Sequence, residues 1–191
     1  MAILSLLTDE ELMFKFQGGN EEAYNEIVGR YKNKLLNHIF YYTKNKESAE
    51  DIIQDAFIRV YLNKDKYKEI AKVSTWVYTI AINLAKTFLA KEKKKNKFSI
   101  TGKDGEGDFE IPDKKTSTDK PVLVGELGDI IKDSIDGLDE KFREIVLLRD
   151  VDEMSYDEIA VALNIPEGTV KSRLNRARLN LREVLVHYVK S

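Results

Sequence analysis

The chain has 191 residues, of which 42% are hydrophobic and 34% charged, and 31 Lys and Arg against 33 Asp and Glu give a net charge of −2. This length is enough for one domain or two small ones, and the composition is typical of a globular protein in water. The absence of Cys excludes a disulfide framework and a thiolate metal site, and it is compatible with a reducing cytosol.

The N-terminal stretch MAILSLLTDEELMFKF predicts no signal peptide. It reaches acidic residues at position 9 and has neither a basic n-region nor a cleavage site. No apolar run in the chain approaches the roughly 18 residues that a membrane span requires.

The first half of the chain is predicted to be helical. Apolar residues recur at helical spacing in four segments, near residues 8–17, 20–42, 48–63 and 75–95. Gly18, Gly19 and Asn20 separate the first two, and Ser48 has the capping-box spacing to Asp51 at the start of the third. The apolar face predicted for the fourth helix consists of Val77, Ile80, Ala81, Leu84 and Phe88.

Residues 96–125 differ in character, since they contain four of the ten Gly and two of the three Pro and show no periodicity. Such a segment is typical of a linker. Helical patterning resumes around Glu126 and continues almost to the C-terminus. The sequence therefore predicts an all-α fold with two small helical domains, a four-helix domain at 1–95 and a second domain at 128–191, joined by a flexible linker at 96–127.

The stretch MSYDEIAVALNIPEGTVKSRLNRAR, residues 154–178, predicts a helix-turn-helix. Ser155 and Glu158 form a capping box that begins a short helix, Asn164-Ile165-Pro166 breaks it, and a longer helix begins near Glu167. If Val170 is set at 0° and each residue adds about 100°, Leu174, Ala177 and Leu181 fall within about 40° of it and form a buried stripe.

The opposite side of this second helix carries Ser172, Asn175, Arg176 and Leu179, and Lys171, Arg173 and Arg178 flank them. A helix in the major groove uses its outward centre for base edges and its flanks for phosphates. A solvated basic face is the alternative, but no acidic residue occurs between Gly168 and Arg182. The candidate DNA-binding residues are Thr169, Lys171, Ser172, Arg173, Asn175, Arg176 and Arg178.

Three stretches of the chain resemble conserved regions of a known family. SAEDIIQDAFIRVY and STWVYTIAINLAKTFLAKEKKK resemble the second conserved region of extracytoplasmic-function (ECF) sigma factors of the group-four, sigma-E-like type. LDEKFREIVLLRDVDEMSYDEIAVALNIPEGTVKSRLNRAR resembles their fourth region. The resemblance implies a dissociable, cytoplasmic subunit of bacterial RNA polymerase whose residues 1–95 bind the core enzyme and the −10 element and open the promoter. Residues 128–191 would bind the −35 element.

The resemblance also implies where this protein meets the polymerase. The third predicted helix has an acidic outer face that suits a basic protein partner, formed by Glu50, Asp51, Gln54 and Asp55. In the family this face binds the clamp helices of the β′ subunit, and the β subunit is a further expected contact. The alternatives are a solvated surface and, for Asp51 alone, helix capping.

The loop NKDKYKEIAKVS and the fourth helix form a second candidate DNA site. A polar, basic and aromatic loop can hold an unstacked base, and lysines at the end of the helix can bind phosphates. In the family the corresponding residues recognise the −10 element and trap a flipped base. The candidates are Lys66, Tyr67, Lys68, Trp76, Thr79, Asn83 and Lys86, with a core position as the alternative for Trp76.

Departures from the family pattern at Thr79, Ile82 and Asn175 leave the promoter sequence open. A helix-turn-helix regulator that never joins polymerase is the alternative function. An enzyme is disfavoured because His38 and His187 are isolated and no phosphate-cradling Gly motif or metal-ligand spacing occurs. The expected partners are core RNA polymerase, promoter DNA and an anti-sigma factor, without metal, cofactor or small-molecule substrate.

Overall fold

The structure is a computed structural model that describes residues 3–100 and 126–189. These ranges contain helices and no β-strand, which confirms the all-α prediction. The α-helices are α1 (Asp9–Gln17), α2 (Glu21–Thr43), α3 (Lys46–Leu62), α4 (Val73–Ile100), α5 (Glu126–Asp136), α6 (Glu140–Val146), α7 (Tyr156–Leu163) and α8 (Glu167–Val189). Short 3₁₀ turns lie at Leu4–Leu6 and Lys64–Lys66, and a π-helical turn at Leu147–Val151 follows α6.

Most of the predicted linker lies outside the described residues. The described part of α4 continues to Ile100, five residues beyond the predicted end of its domain, and α5 begins at Glu126 as the pattern indicated. The boundaries at 95 and 128 stay predictions.

Side-chain caps set where the helices begin. Thr8 and Glu11 form a capping box at α1, and Ser155 and Glu158 form the predicted one at α7. The predicted cap of α3 is wrong by three residues, because Asn45 rather than Ser48 caps the helix. The side-chain oxygen of Asn45 accepts the backbone N–H of Ser48 at 2.8 Å, and the helix begins at Lys46.

The N-terminal domain is formed by α1 to α4. Helices α2, α3 and α4 pack against one another, and α1 packs against α2 and α4. The largest fully buried side chains of this core are Leu12, Met13, Phe16, Ile27, Leu35, Ile39 and Ile82. Burial of one such side chain contributes roughly 1.5–3 kcal/mol, so the amphipathic pattern of the helices supplies the main stabilising force.

The C-terminal domain is formed by α5 to α8, with α8 packed against α5, α6 and α7. Its core includes Ile145, Leu148 and Ile159 and the predicted stripe of α8, in which Val170, Leu174 and Ala177 are buried and Leu181 is half-buried. This confirms the register of α8 that the sequence predicted.

Helix α4 is buried on more sides than its sequence indicated. Val77 and Ala81 of the predicted face are buried, but so are Tyr78, Ile82 and Ala85. The ring centroid of Tyr78 lies 6.5 Å from that of Tyr31 and 5.6 Å from that of His38, both on α2. Helix α4 also packs against α3 and against α7 of the C-terminal domain. The two domains are therefore in direct contact.

Candidate nucleic-acid and protein interfaces

The outward side of α8 presents the predicted base-reading residues. Ser172, Asn175 and Arg176 are exposed, and Leu179 beside them is about half exposed. Within the described ranges, Arg176 makes no ion pair. Thr169, by contrast, is half-buried at the helix start, and its carbonyl accepts a hydrogen bond from the Ser172 hydroxyl at 3.1 Å.

The flanking cations are held in place by acids. A guanidinium nitrogen of Arg178 lies 2.5 Å from a carboxylate oxygen of Asp150, and the Lys171 ammonium lies 2.6 Å from Glu167. Hydrogen bonding to Asp150 raises the pKa of Arg178, and hydrogen bonding to Glu167 raises the pKa of Lys171. Both side chains therefore stay cationic. Arg173 is half-buried on the other flank.

Sequence reasoning missed these acidic partners. Glu167 stands four residues before Lys171, a spacing that favours a helical ion pair and could have revealed it. No local pattern connects Asp150 to Arg178. Sequence reasoning also missed Tyr156, whose ring centroid lies 5.2 Å from the Arg149 guanidinium and 5.9 Å from the Lys171 ammonium.

The loop between α3 and α4 is anchored to α1. The side-chain amide of Gln17 donates to the carbonyl of Lys64 at 2.7 Å and to that of Tyr67 at 3.1 Å. Lys64 in turn donates to the carbonyl of Phe16 at 3.1 Å. The predicted base-binding loop is thus held to α1 by one side chain of the helix, Gln17, and one of the loop, Lys64. The sequence did not indicate Gln17 because it lies far from the loop along the chain.

Tyr67 supports this loop from inside. It is only 9% exposed, its ring centroid lies 5.4 Å from that of Trp76, and its hydroxyl donates to the Ala71 carbonyl at 2.8 Å. Burial, with nearby Glu10 and Glu69 carboxylates adding to it, raises the pKa of Tyr67 to about 12, so the hydroxyl stays protonated. A role of the Tyr67 ring in stacking a base stays a prediction, and in this arrangement the ring packs on protein.

The other predicted −10 residues lie at the surface around this loop. Trp76 and Thr79 are half-buried and Asn83 is exposed, and their spacing places the three along one side of α4. The predicted phosphate contacts Lys66, Lys68 and Lys86 are all exposed. Ile82, which departs from the family pattern, is fully buried, and its apolar character fits that position.

The acidic face of α3 adjoins an apolar groove. Glu50, Asp51, Gln54 and Asp55 are all exposed, and none of them caps the helix. The groove between α2 and α3 has a volume of about 530 Å³ and includes Tyr24, Val28, Leu36, Phe57 and Ile58 in its lining. Sequence reasoning identified the acids but not the groove, because its residues come from two helices.

Metal-ligand clusters and membrane-spanning helices are the subject of two further findings. In residues 3–100 and 126–189, no cluster of three His, Asp or Glu is placed to hold a metal ion. None of the helices in these ranges is both long and apolar enough to cross a membrane.

Comparison with protein families gives two matches in chain order. The family model of Sigma-70 region 2 matches residues 27–95, and that of Sigma-70, region 4 matches residues 128–181. The first range covers most of α2, α3 and α4 up to Lys95, and the second covers most of α5 to α8.

Two curated relatives are similar over most of the chain. The ECF RNA polymerase sigma-E factor of Haemophilus influenzae is 32% identical over 176 residues, which are 90% of this chain and 92% of that protein. The ECF RNA polymerase sigma factor SigW of Bacillus subtilis is 36% identical over 170 residues, 87% of this chain and 91% of that protein.

Two solved structures have a similar fold. CnrH in complex with the cytosolic domain of CnrY matches with a TM-score of 0.65 and 18% identity, covering 94% of this chain and 97% of that one. The sigma factor RpoE in complex with the anti-sigma factor NepR from Bartonella quintana matches with a TM-score of 0.65 and 23% identity, covering 85% and 96%.

Proposed function

The chain belongs to the extracytoplasmic-function family of sigma factors, and we propose that its two helical domains divide promoter recognition between them. As a sigma factor, the protein binds core RNA polymerase and directs transcription initiation at specific promoters. The observation that carries this function is the identity of 32–36% over about nine tenths of the chain, which spans both domains. The domain with α1 to α4, near 1–95, would serve as region 2 and that with α5 to α8, near 128–191, as region 4.

Recognition of the −35 element is assigned to α8. Its exposed outward side carries a guanidinium and two small polar side chains, Arg176, Ser172 and Asn175, which can reach base edges in a major groove. The flanking cations Lys171, Arg173 and Arg178 suit phosphate contacts, which position a helix without reading sequence.

Recognition of the −10 element is assigned to the anchored loop and the first turns of α4. Trp76, Thr79 and Asn83 form a line that offers one aromatic and two polar side chains to an unstacked base, and the exposed lysines offer phosphate contacts. The anchoring of the loop by Gln17 supports this assignment, because a pre-positioned loop loses less conformational entropy on binding.

Polymerase binding is assigned to α3. An acidic outer face beside an apolar groove offers both charge complementarity and burial of apolar surface to a basic, helical partner such as the β′ clamp. A contact of the C-terminal domain with the β subunit completes the assignment. The site of action is then the cytoplasm, and the protein acts by binding rather than by catalysis.

We further propose that an anti-sigma factor controls the protein. The two solved relatives are complexes, one of CnrH with a domain of CnrY and one of RpoE with the anti-sigma factor NepR. The alternative of a helix-turn-helix regulator outside polymerase is not favoured, because family similarity extends through the N-terminal domain as well.

Reversing two charges on α3 should weaken polymerase binding. We expect Asp51→Lys/Asp55→Lys to lower affinity for core RNA polymerase by at least about tenfold, because like charges at a complementary interface repel. Fluorescence anisotropy of labelled protein titrated with core enzyme measures this, and the wild-type arm tests the proposed function, since a regulator outside polymerase would not bind.

The matched control is Glu22→Lys/Asp65→Lys, which changes the charge equally at exposed positions outside the α3 face. Circular dichroism checks that both variants keep their helix content. Equal core affinity of the two double variants would show that the α3 face is not the docking surface.

A further inference from the structure

The ion pairs between the two domains share one polarity. Among the described residues, every such pair takes its lysine from the N-terminal domain and its carboxylate from the C-terminal domain. The pairs are Lys44 with Asp136, Lys72 with Glu158 and Lys86 with Glu144. Beside them, the imidazole Nδ1 of His38 lies within hydrogen-bond distance of the Asp152 carboxylate, at 2.8 Å. The C-terminal domain thus contacts the N-terminal domain through an acidic face. The lysine and arginines of its basic helix α8 take no part in these pairs.

Two of these ion pairs involve lysines of the proposed −10 site. The ammonium of Lys86, a predicted phosphate contact, lies 2.9 Å from a carboxylate oxygen of Glu144. The ammonium of Lys72, at the end of the base-binding loop, lies 3.0 Å from Glu158. Both lysines are substantially exposed, so phosphate groups could reach the same ammonium groups if the domains separated.

Both carboxylates are fixed in position. Glu144 is mostly buried in α6, where the Tyr42 hydroxyl also donates to it. Glu158 is mostly buried and also accepts the backbone N–H of Ser155 at 2.7 Å. Burial acts to raise the pKa of Glu158, but the hydrogen bonds from Ser155 and Lys72 outweigh it, so the carboxyl stays ionised near neutral pH.

We propose that the C-terminal domain masks the −10 site, with Glu144 and Glu158 standing in for the DNA phosphates that Lys86 and Lys72 would otherwise bind. This inference rests on the proposed function and adds a regulation of its site. The two carboxylates and the DNA phosphates compete for the same lysines. The free protein therefore binds DNA weakly until the two domains separate. The packing of α4 against α7 adds apolar contact to the same closed arrangement.

Removing the two charges should open the site. We expect Glu144→Gln/Glu158→Gln to bind a fluorescent single-stranded DNA of mixed sequence about 2- to 30-fold more tightly than wild type, which is what two partly exposed ion pairs contribute to a closing equilibrium. Gln at position 158 can keep the capping box of α7, so the domain should stay folded.

The control must gain the same charge away from the interface. Asp133→Asn/Glu183→Gln does so at two exposed positions of the C-terminal domain. Adding Lys72→Ala/Lys86→Ala to the Glu144→Gln/Glu158→Gln variant should cancel most of the gain, because it removes both unmasked cations. A gain equal to that of the control, or one that persists without the two lysines, would overturn the inference.

A reversible lock provides the second test. The chain has no Cys, so Lys44→Cys/Asp136→Cys can be joined specifically by a bismaleimide with a reducible spacer. These positions form an ion pair at the domain interface but belong to no proposed DNA or polymerase contact. We expect linked protein to bind the DNA at least about tenfold more weakly than unlinked protein, and reduction of the spacer to restore binding.

Core-polymerase binding by unlinked wild-type protein separates the two hypotheses. If wild type binds core enzyme while linked and reduced forms bind DNA equally, the masking is wrong and the proposed function stands. If wild type does not bind core enzyme, the proposed function fails whatever the lock shows.

Discussion

Replacing Trp76 and Asn83 with Ala should reduce open-complex formation strongly while leaving the closed complex nearly intact. Stacking of one base on an aromatic side chain is worth about 1–3 kcal/mol, which corresponds to a loss of about 5- to 150-fold. Single strands are captured only after docking, so the loss should appear at the opening step. Permanganate footprinting of unpaired thymines measures opening, and a gel shift at low temperature measures the closed complex.

Single variants distinguish a lost base contact from a loosened loop in this experiment. Trp76 packs against Tyr67, so its loss can also loosen the loop, whereas Asn83 is exposed. Asn83→Ala alone therefore tests base contact, and Thr87→Ala, an exposed substitution one turn further along α4, is the matched control. If the thymine footprints of the Trp76/Asn83 variant equal those of wild type, the −10 site lies elsewhere.

Replacing Arg176 with Ala should relax base preference at one or two positions of the −35 element. The planar guanidinium can pair with guanine O6 and N7, and one such contact contributes about 1–3 kcal/mol of discrimination. Arg173→Ala and Arg178→Ala should instead weaken binding to every sequence alike, and each should reduce the salt slope by about 1. A promoter library bound by holoenzyme at two salt concentrations measures both quantities.

The Arg178–Asp150 ion pair allows a variant with the opposite expected effect to Arg178→Ala. Asp150→Asn should strengthen binding to all sequences slightly, because it leaves the Arg178 guanidinium free for phosphate. A change of base preference in Arg173→Ala, together with none in Arg176→Ala, would show that the groove-facing side of α8 is assigned incorrectly.

The elements and the face of α8 could be predicted because they depend on local periodicity. The apolar stripe Val170, Leu174 and Ala177 fixes the buried side, and the exposure of Arg176 follows from it. The start of α3 was misplaced because two residues that favour N-caps, Asn45 and Ser48, stand close together. The side-chain oxygen of Asn45 accepts the backbone N–H of Ser48, so Asn45 is the cap. The burial of Tyr67 was missed because its partners Trp76 and Ala71 are met only when the loop folds back.

The domain interface could not be read from the sequence. Tyr78, Ile82 and Ala85 widen the buried surface of α4, but a single helix pattern does not say which neighbour covers each side. Glu144 and Glu158 are distant in sequence from Lys86 and Lys72. In the sequence, Glu144 looks like an ordinary helix-surface acid and Glu158 has only the spacing of a capping box. Only the three-dimensional arrangement shows that acids of one domain occupy cations of the other.

Reconstituted transcription tests the sigma-factor assignment most directly. Purified core RNA polymerase is incubated with fragmented genomic DNA from the source bacterium, with and without this protein, and the 5′ ends of the transcripts are mapped. We predict new start sites that appear only with the protein and share one pair of upstream sequence elements, and we predict that Asp51→Lys/Asp55→Lys abolishes most of them. Identical start sites in both reactions, with the protein shown to be folded, would contradict the assignment.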